Sequence, residues 1–124
     1  MKITSENAAV FSANAKGAVS FYEENFGFKL MHKIDLTDDL APLTAMYCME
    51  NESGVHVDVI QYTGLSTDMS GFRVNVNNFE DAFTTFTMLG YTVDFGPAII
   101  ESATSAYISR NGADPILLMQ HIQK

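Results

Sequence analysis

The stretch Ala18-Val-Ser-Phe-Tyr-Glu-Glu-Asn-Phe-Gly-Phe28 fixes the reading of this chain. Ala18, Val19, Tyr22 and Phe26, with Phe21, recur at helical spacing and form one apolar face, while Glu23, Glu24 and Asn25 fall on the wet side. Asn14 stands just upstream, where its side-chain oxygen can take one of the helix's orphan N–H groups. Gly27 directly follows the last apolar residue, as a left-handed helix end requires, and Phe28 opens an extended run. The same order returns 64 positions later, counting from Asn14 to Asn78. There Ala82, Phe83, Phe86 and Leu89 make the apolar face, Glu80 and Asp81 favour the positive end of the helix dipole, and Gly90-Tyr91 closes the unit. An internal duplication therefore organises the chain.

Each helix is preceded by one strand-like run, residues 8–12 and 71–76, and followed by three. In the first half these are residues 28–34, 43–49 and 55–62; in the second, 91–95, 104–109 and 116–121. Turn chemistry separates them, including Glu50-Asn-Glu-Ser-Gly54, Gly96-Pro97 and Arg110-Asn-Gly-Ala-Asp-Pro115. Residues 34–42 read as an acidic loop. The expectation is an α+β fold of two βαβββ modules, about residues 1–62 and 70–124, in the single domain that 124 residues ordinarily make.

Composition narrows the function classes. With 7 Lys+Arg against 15 Asp+Glu, the chain lacks the clustered cations that neutralise phosphates, so a nucleic-acid partner is not expected. The acidic balance favours solubility, and a cationic ligand over an anionic one. No basic patch leads into an apolar run near the start, and no stretch approaches the roughly 20 apolar residues of a membrane helix, so the expectation is a cytoplasmic protein with no membrane partner. A single cysteine, Cys48, excludes an internal disulfide and any multi-cysteine zinc site, and in its apolar run it reads as a buried structural thiol. There is no phosphate-binding glycine loop and no serine nucleophile elbow.

Taken in order, Ala18 to Phe28, Val74-Asn-Val-Asn-Asn-Phe-Glu-Asp-Ala82, Leu89-Gly-Tyr91, Gly96-Pro97 and Asp114-Pro115 leading into Ile116-Leu-Leu-Met-Gln120 resemble the vicinal oxygen chelate superfamily. That superfamily includes glyoxalase I, bleomycin-resistance proteins and extradiol dioxygenases, and the likeness spans nearly the whole chain. The resemblance implies a curved, open half-barrel sheet with helices on its convex side, a small-molecule site in its concave face, and a homodimer. In metal-dependent members the ligands come from the first and last strands of each module. The corresponding positions here are Asn7, about Gly71, Asp58 and Leu117, of which only Asp58 is a good ligand. A bound metal cofactor is therefore not expected at the family's usual site. A divalent metal at a displaced site around His56, Asp58 and His121, serving a lyase, isomerase or dioxygenase, is the alternative.

Strand alternation supplies an independent handle on the cavity. In residues 55–61, Val55, Val57 and Val59 suit packing under a helix, which leaves His56, Asp58 and Ile60 on the other side. In residues 71–76, Phe72, Val74 and Val76 suit the helix, which leaves Gly71, Arg73 and Asn75 facing the same hollow. Asp58 could pair with His56, and Arg73 could pair with Asp58 or hold a ligand carboxylate or phosphate. The ligand-binding candidates are accordingly His56, Asp58, Arg73, Asn75, Asn7, Tyr107 and Met119, the last two equally open to a place in the core. No catalytic residue is assigned.

Overall fold

The computed structural model describes residues 2–121, the side chain of His121 excepted. Two modules follow one another: β1 (Ile3–Ser12), α1 (Ala15–Phe26), β2 (Lys29–Asp35), β3 (Leu43–Glu50) and β4 (His56–Tyr62), then β5 (Met69–Val76), α2 (Phe79–Met88), β6 (Thr92–Ile100), β7 (Ala103–Ser109) and β8 (Ile116–His121). Their strands join into one eight-stranded sheet in the order β2-β3-β4-β1-β5-β8-β7-β6. The seam is the antiparallel pair β1–β5, centred on Ala8 opposite Phe72, and each module's last strand runs parallel to its first. This is the expected curved half-barrel with both helices on the convex side.

Local chemistry makes the helices. Asn14 accepts from the Gly17 N–H at 3.1 Å and Asn78 from the Asp81 N–H at 3.0 Å, so both expected N-caps form. Gly27 sits at φ 67° and Gly90 at φ 94°, in the left-handed region that a side chain resists. Helix α1 buries Ala15 and Val19 over Val57, Val59 and Tyr47. Helix α2 buries Phe79 and Ala82 over Val74, Val76, Ala106 and Leu118. Each Val, Leu or Phe side chain among them contributes about 1.5–3 kcal/mol by leaving water, and each alanine methyl less. Phe21, Phe26 and Leu89 depart from expectation, because they fall at the margins of the helix faces and stay more than half exposed. Val55 also leaves the valine stripe: it precedes β4 and is exposed.

Two strand boundaries move by five residues from the sequence reading, and the acidic loop gains structure of its own. Strand β1 begins at Ile3 rather than residue 8, since polar Ser5 and Asn7 pair with β5 across the sheet. Strand β6 does not stop at Gly96-Pro97 but runs on to Ile100. Its register slips between Phe95 and Ala98, with Gly96 at φ 91°, so the Gly-Pro pair is a bulge on an edge strand, where a missing N–H is tolerated. The actual reversal is Glu101-Ser102, two non-glycine residues at φ 44° and 70°. The acidic loop carries a short 3-10 turn, Asp38–Leu40, that inserts fully buried Leu40 against Gly96.

The hollow is consequently filled in part. Phe11, Leu40, Leu43, Met46, Ile60, Tyr107 and Leu117 pack into one end as a third core. Gly71 stands where β5 meets the entry to β8 and the Phe11 ring of β1: a Cβ there would lie 2.2 Å from the Pro115 carbonyl oxygen and 3.0 Å from the Phe11 ring. Gly71→Ala should therefore cost about 1–3 kcal/mol or more by overpacking backbone that cannot yield. Gly27→Ala, strained only by its φ, should cost about 1 kcal/mol. Urea unfolding of the two variants gives the comparison.

Candidate functional site in the concave face

The unfilled end of the hollow is a cavity of about 370 Å³, at the small end of the range for ligand sites. Its wall is mainly apolar, with Met31, Ile34, Ile100, Ala103 and Met119, and Cys48 beside them. Among the described residues, Arg73 is the one permanently cationic side chain lining it.

Arg73 is positioned by a carboxylate two strands away. Asp58 on β4 is 1% exposed, and its Oδ2 accepts from Arg73 Nε at 2.7 Å and from Asn7 Nδ2 at 3.2 Å. Strand β1 lies between them, and Ala9 opposite Asp58 leaves room for the guanidinium to cross. A buried carboxylate without a partner is very costly, so this pair is the condition for Asp58 being inside at all. Of the two partners foreseen for Asp58, the structure selects Arg73. His56 instead faces Glu50 across the β3–β4 pair, with Nε2 3.5 Å from Oε1, and is half exposed at the cavity mouth.

The other candidates separate. Met119 lines the cavity. Asn75 shares the face of Arg73 but donates to Ser5 Oγ at 2.7 Å, while its buried Oδ1 has no partner. Asn7 is engaged with Asp58. Tyr107 is core: 3% exposed, it packs on Phe11, Tyr62 and Phe95 with ring centroids 5.1–5.9 Å away. Burial, then neighbouring Tyr62 and Asp94, pushes its phenol pKa up. The side chain of His121 lies outside the described residues.

Two residues that the sequence reading did not assign to the site complete it, His32 and Cys48. The Cys48 thiol, read there as buried and structural, is partly exposed on the cavity wall. His32 sits at the mouth, its Nε2 3.8 Å from Glu101 Oε1, so that contact reaches from edge strand β2 to the turn between β6 and β7. Cys48 lies opposite Asp58 on β3, a position that alternation along residues 43–49 would have revealed. Burial first, and then the Asp58 charge and a hydrogen bond to it, push the Cys48 thiol up to about 12.

The residues at the positions where the resemblance places metal ligands do not fit a metal. Gly71 and Leu117 offer no donor, Asn7 turns its amide N–H₂ to Asp58, and Asp58 is covered by a cation. Among the described residues no three His, Cys, Asp or Glu side chains converge as a ligand set.

The fold is the half-barrel that the resemblance to the vicinal oxygen chelate superfamily implied, and solved structures share it. Solved structures that share it include methylmalonyl-CoA epimerase from Mycobacterium tuberculosis, with TM-score 0.69 and 11% identity over 98% of this chain and 90% of that one. The epimerase of Streptomyces coelicolor in complex with 2-nitronate-propionyl-CoA matches with TM-score 0.67 and 10% identity, over 98% and 100% of the two chains. A hypothetical protein from Bacillus halodurans matches with TM-score 0.66 and 10% identity, over 100% and 98%. No protein-family model and no curated protein sequence matches the chain. No helix among the described residues is long and apolar enough to cross a membrane.

A thiol held neutral this strongly should alkylate slowly. The rate with iodoacetamide should keep rising with pH up to about 12, whereas an ordinary thiol, half ionised near pH 9, levels off soon above that. Because the folded pKa lies above the unfolded one, the native state holds the proton longer, and Cys48 should make stability fall as pH rises from about 9 toward 12. The alkylation profile followed by mass spectrometry checks the first, and urea midpoints against pH the second.

Proposed function

We propose that this protein binds a small molecule in the open end of its concave face, without the metal that many proteins of this fold use there. One observation carries the reading: the only carboxylate at the family's ligand positions, Asp58, is buried and holds Arg73, whose guanidinium faces a mostly apolar cavity. A metal and Arg73 would compete for the same oxygens. The displaced metal site around His56, Asp58 and His121 is disfavoured by His56 pairing with Glu50 at the rim.

Similar solved structures hold methylmalonyl-CoA or 2-nitronate-propionyl-CoA. An acyl-CoA ligand for this chain finds less support. The several phosphate charges of coenzyme A want Lys or Arg near the mouth, and Glu50 and Glu101 stand there instead. We also read the chain as a homodimer, a state supported by Phe21 and Phe26, whose exposed rings lie 5.6 Å apart on α1, since paired apolar surface is more often covered than left wet.

Two measurements test this. Protein purified without chelators should contain far less than one equivalent of zinc, nickel, iron or manganese, and EDTA should leave its Tm unchanged; near-stoichiometric metal would overturn the metal-free reading. A saturating ligand should raise Tm, by about 2.7 kcal/mol of added stability at 100 times Kd, since only the native state has the cavity.

A further inference from the structure

We infer that the ligand of this hollow carries one carboxylate at its inner end, received by the two Nη groups of Arg73, with an apolar body and no second negative charge at its outer end. The inference deepens the small-molecule reading above and rests on it.

The inner end is set by Arg73. Its Nε–H is spent on Asp58, and none of the four N–H bonds on Nη1 and Nη2 has a partner among the described residues. A guanidinium whose orientation is already fixed by a buried carboxylate has lost most of its freedom before the ligand arrives. It therefore presents a planar pair of donors, the geometry that a carboxylate matches bidentately. The body is set by the wall, where Ile34, Ile100, Ala103 and Met119 offer contact but no hydrogen bonds.

The outer end is set by charge. Arg73 then serves both Asp58 and the ligand carboxylate, so the lining described here has no further permanent cation for a second anionic group. At the mouth stand Glu50 and Glu101, each beside a histidine at 3.5–3.8 Å. A ligand dianion spanning floor to mouth would bring its far charge among these carboxylates, within a Debye length of both. A neutral or amine-bearing outer end meets no such repulsion.

Octanoate, octanamide, suberate and octylamine form a matched probe set, since they share the alkyl body and differ only at the ends. Titration of the ¹³C-methyl-methionine protein at pH 8, where histidines in general are uncharged, reads affinity and place together through the Met31 and Met119 methyls. Octanoate should bind about tenfold or more tightly than octanamide, the increment of charge-assisted bonding. Suberate should bind more weakly than octanoate, and a Glu50→Gln, Glu101→Gln double variant should narrow that gap severalfold. Octanamide or octylamine equalling octanoate, or suberate exceeding it, would overturn the inference while leaving the hollow as a binding site. If no probe moves the two methyls, this inference and the small-molecule reading fall together.

Discussion

A buried carboxylate sits at the centre of this molecule, and most of what surrounds it follows from keeping it satisfied. Asp58 belongs to the last strand of the first module and Arg73 to the first strand of the second, with β1 between them. The pair spans about 10 Å of sheet, two inter-strand spacings, which needs the longest cationic side chain and a small residue, Ala9, beneath it. Hydrophobic packing holds each module to its helix. Across the seam, the polar link of Asn7, Asp58 and Arg73 supplements the β1–β5 ladder and fixes how the concave face is furnished.

The same interaction separates this site from a metal site on the same fold. A divalent cation and a guanidinium both stabilise a carboxylate charge in a poorly solvated place, but a guanidinium needs one carboxylate where a metal needs about three donors. Once Arg73 supplies the cation from within the chain, Gly71 and Leu117 are free to serve packing. Gly71 lets Pro115 and Phe11 approach, and Leu117 is fully buried in the third core. Two of the four positions that carry ligands in metal-dependent proteins of this fold, Gly71 and Leu117, are here committed to closing one end of the half-barrel.

Much of this was legible in the residues. Helix periodicity, asparagine caps and glycine ends declare themselves within a dozen positions, because each satisfies a local need. Alternation placed Asp58 and Arg73 on one face, since the valines beside them had to lie under a helix. The rest was set by contacts distant in sequence. Gly96-Pro97 has the composition of a turn, yet pairing with β7 carries the strand through it, and the reversal falls at Glu101-Ser102, whose composition gives no sign of a turn. Leu40 looks like part of an acidic loop until β6 provides a surface to bury it. His32 and Glu101 meet only because the sheet curls, bringing two elements at opposite ends of the strand order to one mouth.

The claim beneath the whole account is that Asp58 and Arg73 stabilise each other across the seam. A double-mutant cycle of Asp58→Asn, Arg73→Met and the two combined, measured by urea unfolding, isolates that coupling. The account predicts that each single change is strongly destabilising and that the double variant is more stable than the sum implies, by about 1.5 kcal/mol or more, because neither charge is then left buried alone. Additivity within about 0.5 kcal/mol would contradict it.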